Sequence, residues 1–270
     1  MTSAQTMLNS DAHPLWGGRF RTLAAAVLAV ITLTGCSQAP KEKLVAPRTM
    51  VAPYDTSRGD VLWAVVPLRN ESGTSVVDTL EVSDKVVAAA SQIRGVRTLP
   101  LNRTIATMRA LNMPGLQTPA DAKRLATEMG VDALLVGSIT AWDPYDPPTL
   151  GLALALYARP GSMDKRGEAQ LDTRKLEFQP TDYQYFARSS FDSAPASVVS
   201  EYMDGKNHQV LMEVKSYAEG RHDPSTALGY KRYLASMDLY VEFGGWQTVS
   251  RLLDQEWVRL ARVPGPTAKK

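Results

Sequence analysis

Three carboxylate residues, Glu71, Asp143 and Asp146, follow predicted strands, and strand ends are where α/β sheets place their ligands. Paired carboxylates in such a position can act as general acid and general base in a hydrolysis reaction. Asp143 and Asp146 also stand directly before prolines, and Asp-Pro sequences favour turns. Because nothing in the sequence supplies a second catalytic partner, we favour the turn interpretation and predict no catalytic residue.

The same turn carries residues that suit contact with another protein. Trp142 and Tyr145 flank the first Asp-Pro pair, and Asp146 precedes two prolines. Aromatic side chains are enriched at the cores of protein interfaces, and prolines restrict the backbone of a loop. We therefore predict an interaction lip, which consists of Trp142, Asp143, Tyr145 and Asp146.

Sequence motifs for metal or cofactor chemistry are absent. There is no phosphate-binding P-loop, dinucleotide-binding glycine pattern, nucleophile elbow or zinc-protease helix motif. His222 has Glu219 and Asp223 nearby, which leaves a metal site as an alternative. We favour a helix-end role, because a cation there suits the helix dipole. No metal ligand and no cofactor are predicted.

Composition excludes several classes of protein. The 270 residues are 44% hydrophobic, which is too apolar for a disordered chain. Lysine and arginine number 30 against 28 acidic residues, so the net charge of +2 gives no case for nucleic-acid binding. A single cysteine excludes both a disulfide framework and a cysteine-only zinc site.

That cysteine, Cys36, ends a segment typical of a secretory signal. Two basic residues, Arg19 and Arg21, precede an uncharged apolar run at 22–33. The run is shorter than the roughly 20 residues that a membrane-spanning helix needs, and a short apolar run behind a basic flank indicates a signal peptide. Translation could begin at Met1 or at Met7.

The end of this run, Leu33-Thr34-Gly35-Cys36, resembles the lipobox of bacterial lipoproteins. The resemblance implies that the Cys36 thiol receives a diacylglyceryl group and that cleavage removes residues 1–35. Lipid chains on Cys36 would hold the protein on a membrane without a spanning helix. By similarity to enterobacterial sorting, Ser37 favours the outer membrane, with the protein facing the periplasm; the inner membrane stays open as an alternative.

The remaining chain divides by composition. Residues 36–59 contain three prolines and few large apolar groups, which predicts a tether. Residues 60–158 predict an α/β sandwich, in which a sheet of about four mixed strands is covered by helices. The segment 159–193 is polar and irregular, residues 194–263 predict a helical region, and 264–270 form a tail.

The predicted elements are strands at 61–68, 96–99, 131–140 and 150–157, and helices at 76–93, 102–112, 118–129 and 196–218. Asn102 and Thr118 are expected to cap the helices that they begin. The short gap between the last two strands favours antiparallel pairing.

Three segments of the α/β region resemble a group of bacterial lipoproteins. Residues 61–68 with Asn70-Glu71-Ser72-Gly73 resemble the opening strand and turn of that group, and 126–139 resemble its helix, glycine, acid, strand and glycine segment. The Tyr145-Asp146-Pro147-Pro148 turn is similar to one found in some members. The group includes the curli-secretion-channel lipoproteins, the penicillin-binding-protein activator lipoproteins and TolB-amino-terminal-like domains. The resemblance covers about residues 60–158 and implies the fold rather than an activity.

These observations together favour a lipid-anchored, non-enzymatic envelope protein that recruits or activates a partner. The partner would be a peptidoglycan synthase or an assembly or secretion complex. Two alternatives stay open: a periplasmic hydrolase that uses the strand-end carboxylates, and a structural subunit of an oligomeric envelope assembly. The expected contacts are the membrane, through lipidated Cys36, an envelope protein, and in the oligomeric case further copies of this chain.

Overall fold

The computed structural model of the chain describes residues 45–57, 59–159, 163, 195–223 and 226–262. These described residues cluster by their contacts as one compact unit. The predicted signal peptide 1–35, the lipidation site Cys36 and the lipobox residues Leu33, Thr34 and Gly35 lie outside the described residues. So do the tail 264–270 and, apart from Arg159 and Met163, the segment 159–193.

Eight strands and six α-helices are described in this part of the chain. The strands are β1 (Met50–Val51), β2 (Val61–Val65), β3 (Arg69–Asn70), β4 (Ile93–Arg94), β5 (Val96–Thr98), β6 (Ala133–Asp143), β7 (Thr149–Ala158) and β8 (Ser197–Asp204). The helices are α1 (Thr79–Ser91), α2 (Leu101–Ala110), α3 (Pro119–Met129), α4 (His208–Ala218), α5 (Arg232–Ala235) and α6 (Met237–Arg262). A 3₁₀ turn, Gly229–Lys231, precedes α5.

A mixed sheet of six strands forms the centre of the fold. Its order is β5-β2-β6-β7-β8, with β3 also pairing with β6. The pairs β2–β5, β2–β6 and β3–β6 are parallel, whereas β6–β7 and β7–β8 are antiparallel. The predicted α/β class with a mixed sheet is therefore confirmed, as is the antiparallel pairing of the last two predicted strands. The sheet is larger than expected because β3 and β8 join it.

Helices pack on both faces of the sheet. The main apolar core lies between the sheet and α1, α4 and α6, and it includes Trp63, Val86, Leu135 and Phe243, each fully or almost fully buried. A second, smaller core lies on the opposite face, where α2 and α3 cover β2 and β6. Because β2 and the first residues of β6 are covered on both faces, β2 and residues 133–136 of β6 are continuous apolar runs.

Strand β7 shows how a one-sided apolar pattern sets the layers. Its four leucines alternate with small residues, and all four are buried in the main core: Leu150, Leu152, Leu154 and Leu156. Helix α6 approaches this row closely at Gly244, where an added Cβ would lie 2.4 Å from Leu150 Cδ2. The alternation therefore points the leucines of β7 toward α6.

The helix starts were predicted with mixed success. Thr118 caps α3 in a capping box: its hydroxyl accepts from the Asp121 N–H, and the Asp121 carboxylate accepts from the Thr118 N–H. The expected cap at Asn102 is wrong, because α2 begins at Leu101 after Pro100 and has no side-chain cap. The helix thus begins one residue before Asn102, at Leu101, whose side chain is buried.

The predicted helix at 196–218 is wrong over its first half. Residues 197–204 form strand β8, which pairs with β7 along its whole length, and helix begins only at His208. Alternate residues of β8 are buried, including Ser197, Val199 and Met203, which is the period of a strand. The region 194–263 is therefore not wholly helical, and its first element completes the sheet.

The second half of the predicted tether, 36–59, is also part of the packed structure. Strand β1 pairs with β4 in a separate parallel two-stranded sheet. Ala52 and Tyr54 are fully or almost fully buried in the main core. Residues 50–54 thus belong to the domain, because the burial of these apolar groups outweighs the local effect of Pro53.

Among the described residues, none of the helices combines the length and apolar character that crossing a bilayer requires.

Candidate functional site

The predicted interaction lip lies around the turn between β6 and β7. Tyr145 is the most exposed of its members, with 79% of its surface accessible, and Asp143 and Asp146 are also exposed. The Asp143 carboxylate accepts a hydrogen bond from the Tyr145 N–H at 3.1 Å, which shapes the turn. Trp142, in contrast, is half-buried and packs against the main core, so three of the four predicted residues face solvent.

The strand-end carboxylates have structural partners. Glu71 follows β3, where its N–H donates to the Ile139 carbonyl at 2.9 Å, and its carboxylate lies 4.0 Å from Arg69. Asp143 is used in the turn just described. These contacts give Glu71 and Asp143 structural roles at a strand end and a turn, and among the contacts of the described residues none joins the three carboxylates into an acid–base pair.

A different feature was not predicted from the sequence: an apolar groove of about 450 Å³ beside the ends of β2 and β3. We call it the apolar groove. The apolar side chains along it include Val66, Leu80, Ile105, Met108, Met113 and Leu116. They come from the end of β2, the first turn of α1, the middle of α2 and the turn that follows α2. The groove thus lies near the carboxyl end of a parallel strand, where α/β sheets place ligands.

The turn after α2 forms one wall of the apolar groove. The Met113 N–H donates to the Met108 carbonyl at 2.8 Å, which folds the chain back over the end of the helix. Asn112 adopts a left-handed conformation with φ of 55°, which asparagine tolerates better than most residues. Met113 and Leu116 are left half-buried, with part of each side chain accessible.

Two arginines line the apolar groove, Arg69 from β3 and Arg109 from α2, and both are exposed. Arginine presents a planar fork of donors that matches a carboxylate. Methionine is flexible and polarisable, and it is common on surfaces that adapt to a partner. Apolar walls with methionines and flanking cations therefore suit an apolar segment that carries acidic groups.

A second groove, of about 570 Å³, lies between α1 and α6 and is lined by charged side chains that already pair with one another. Lys85 Nζ lies 2.6 Å from the Asp238 carboxylate and 2.8 Å from that of Glu242. Burial alone would lower the pKa of Lys85, but the hydrogen bonds to both acids outweigh it and raise the pKa. The hydrogen bond from Lys85 also lowers the pKa of Asp238. This cluster joins two helices, which is a structural role.

Sequence reasoning also missed a buried polar network around Glu256. The carboxylate of Glu256, with none of its surface exposed, accepts hydrogen bonds from the hydroxyls of Tyr54 and Ser197. Arg259 donates to both of its oxygens, at 2.8 and 2.7 Å. The sequence held one signal of this network. Glu256 lies four residues from Leu252 and from Leu260, which places a charged residue on the apolar face of α6.

His222 occupies the helix-end position that was favoured from the sequence. Its Nδ1 lies 2.7 Å from the Ala218 carbonyl oxygen, and its ring packs edge-on against Tyr233. In the parts of the chain that the structure describes, no three His, Cys, Asp or Glu residues come together in a way that could hold a metal ion.

Comparison with known proteins gives similarity at the level of solved structures only. No family model matches the chain, and no curated protein matches it by sequence. A PelC dodecamer from Paraburkholderia phytofirmans is similar at 10% identity and a TM-score of 0.31, covering 78% of this chain and 95% of the other. Lipoprotein GNA1162 from Neisseria meningitidis is similar at 18% identity and a TM-score of 0.37, covering 58% of this chain and 93% of the other.

The LpoB C-terminal domain from Salmonella enterica is similar at 13% identity and a TM-score of 0.29, covering 48% of this chain and 81% of the other. The structural neighbours thus include a lipoprotein and a member of the penicillin-binding-protein activator group that the sequence resembles.

Proposed function

We propose that the protein is a non-enzymatic lipoprotein of the bacterial envelope that recruits or activates an envelope partner through the apolar groove. The partner is a peptidoglycan synthase or an assembly or secretion complex. The observation that carries the proposal is the apolar groove with its two arginines. The signal segment and the lipobox at Cys36 support the anchored part of the proposal.

The occupant of the apolar groove is an amphipathic segment of the partner. A volume of about 450 Å³ accommodates a few side chains, as when an amphipathic helix lays apolar anchors into a groove. Arg69 and Arg109 would pair with carboxylates beside those anchors. The partner segment is therefore apolar on one side and acidic at its margin.

Lipidation of Cys36 would fix where this binding happens. Several acyl chains together anchor a protein stably, since each buried CH₂ contributes about 0.8 kcal/mol. Residues 37–44 connect the anchor to the domain in the sequence, and residues 45–47 already lie against Gly220 of the domain. We propose the outer membrane, with the domain in the periplasm, as the location; the residue after the cysteine, Ser37, supports this choice over the inner membrane.

A charge introduced into the apolar groove tests partner binding. Leu80 is 50% exposed and lies in the first turn of α1, where an aspartate suits the helix dipole, so Leu80→Asp should fold. Met212→Asp on α4 is the matched control, since Met212 is 51% exposed and does not line the groove. After cross-linking of intact envelopes, the same envelope protein should co-purify with the wild type and the control and be lost from Leu80→Asp.

Equal recovery of that protein with Leu80→Asp would overturn the binding role of the groove. Cleavage of a cell-wall substrate by the purified chain would overturn the non-enzymatic part of the proposal. Loss of such cleavage in the double variant Asp143→Asn with Asp146→Asn would assign the activity to these two carboxylates.

The anchor has its own test. Cys36→Ala should abolish incorporation of a radioactive fatty acid, because no other cysteine is present in the chain. Ser37→Ala is the matched control and should keep the label. Label retained by Cys36→Ala would contradict lipidation at this residue.

A further inference from the structure

Strand β8 forms an edge of the central sheet. Among the strands that the structure describes, it pairs only with β7, while the other edge strand, β5, has only three residues. An edge strand presents a row of backbone N–H and C=O groups that can pair with another chain. With eight residues, β8 offers the longer of the two edges.

The residues of β8 do not protect this edge. Proteins usually blunt a long edge with lysine, proline or a bulge, but residues 197–204 contain neither lysine nor proline, and the pairing with β7 shows no register shift. Two large apolar side chains on the strand are exposed instead: Val198 by 57% and Tyr202 by 68%. They lie on the same face as Ser200, opposite the face that packs in the main core.

We propose that β8 pairs with β8 of a second copy of this chain, antiparallel about a two-fold axis at Ser200, so that two sheets become one. Directly opposed residues of an antiparallel pair project on the same side of a sheet. The packed faces of both copies must lie on the same side of the joined sheet. Two registers meet this condition and pair most of the strand: one places Ser200 opposite Ser200, and the other places Glu201 opposite Glu201.

The side chains select between these two registers. With Ser200 at the axis, Val198 of each copy lies opposite Tyr202 of the other, and aromatic with β-branched pairs stabilise strands. Glu201 then lies opposite Val199 of the second copy. With Glu201 at the axis, two carboxylates would lie opposite each other, which is unfavourable. The sequence of β8 is thus self-complementary in one register, and this favours a second copy as the occupant.

The oligomeric state of the chain from Ser37 onward tests the proposal. All described contacts of the compact unit lie within residues 45–262, so this chain retains them. Sedimentation should show a mass that rises from one copy to two as concentration increases. Val198→Lys with Tyr202→Lys should keep the mass at one copy, because lysines on an edge oppose pairing.

The matched control replaces two apolar residues that are exposed elsewhere, Val76 by 73% and Met212 by 51%. Val76→Lys with Met212→Lys should still form the dimer. The pairing does not depend on the proposed function, and the groove variant Leu80→Asp should leave the dimer mass unchanged. Loss of partner recovery and loss of dimerisation are therefore separate results.

A disulfide reports the register directly. The chain from Ser37 onward contains no cysteine, so Ser200→Cys adds the only thiol. At the axis the two opposed Cβ atoms lie about 4.5–5.5 Å apart, close to the roughly 3.5–4.5 Å of a disulfide, so mild oxidation should give a covalent dimer. Tyr202→Cys should not, because its copies are displaced along the strands. A single-copy mass at all concentrations, or cross-linking that is faster at 202 than at 200, would overturn the proposal.

Discussion

Replacement of Glu256 by leucine should strongly destabilise the fold. The side chain lies on α6 with none of its surface exposed, and it joins β8 and the segment after β1 through Ser197 and Tyr54. Leucine has a similar volume but no acceptor. The Tyr54 hydroxyl, on a residue with no exposed surface, and the Ser197 hydroxyl, on one that is 7% exposed, would then lose their acceptor.

The magnitude follows from these contacts. An unsatisfied buried donor costs about 1–3 kcal/mol, so the two hydroxyls together account for roughly 2–6 kcal/mol. The Arg259 side chain is 30% exposed and can gain water in place of the carboxylate. Breaking a buried ion pair generally costs about 3–5 kcal/mol, and we expect a loss in that range. A typical domain has only about 5–15 kcal/mol of stability in total.

A double-mutant cycle separates this network from loss of packing. Tyr54→Phe removes one hydrogen bond to a charged group, which costs about 1.5–3 kcal/mol. In the Glu256→Leu background the same change should cost less, because the hydroxyl it removes no longer has its acceptor. The coupling should be about 1–3 kcal/mol.

Urea unfolding followed by circular dichroism measures these free energies. Asp254→Asn, an exposed position on the same helix, is the control and should change stability by less than about 0.5 kcal/mol. A loss below about 1 kcal/mol for Glu256→Leu, or an equal cost of Tyr54→Phe in both backgrounds, would contradict a stabilising role for the Glu256 network.

Three further predictions concern a cap, a close approach and pH. Thr118→Ala should cost about 1 kcal/mol by removing the cap of α3, whereas no change in urea midpoint would contradict it. Gly137→Ala should lower thermal stability by more than Gly115→Ala, because its Cβ would lie 2.3 Å from the Ala153 carbonyl oxygen while that of Gly115 meets nothing within 4 Å. Burial raises the pKa of Tyr217 to about 12. Since unfolded tyrosine titrates near pH 10, the folded state binds more protons above that value. Stability should fall from about pH 10 to 12, and less so in Tyr217→Phe.

Local signals predicted much of the sheet and one helix start. The apolar run of β2, the hairpin of β6 and β7 and the cap at Thr118 are each contained within a few consecutive residues. Strand β8 was mistaken for helix although the sequence separates it from α4: Asp204-Gly205 is a turn signal, and Asn207 caps α4. Its strand form depends on pairing with β7, which is distant in the sequence.

The candidate site depends more than the sheet does on residues that are far apart in the sequence. The apolar groove brings together Leu80, Ile105 and Met113 beside the end of β2, and none of these residues is unusual in its own segment. The Glu256 network likewise joins Tyr54, more than two hundred residues away. Such sites form only when the helices pack on the sheet, so spacing gives at most a partial signal, such as the position of Glu256 on the apolar side of α6.

Site-specific photo-cross-linking in living cells tests partner docking in the apolar groove most directly. A photoreactive amino acid at Ile105, a half-buried residue that lines the groove, should capture the envelope protein that co-purifies with the wild type. The same group at Met212 should not, and Leu80→Asp should abolish the product at 105. Equally efficient capture of that protein from position 212 and from position 105 would contradict docking of the partner in the apolar groove. Capture from position 105 that Leu80→Asp does not reduce would contradict it as well.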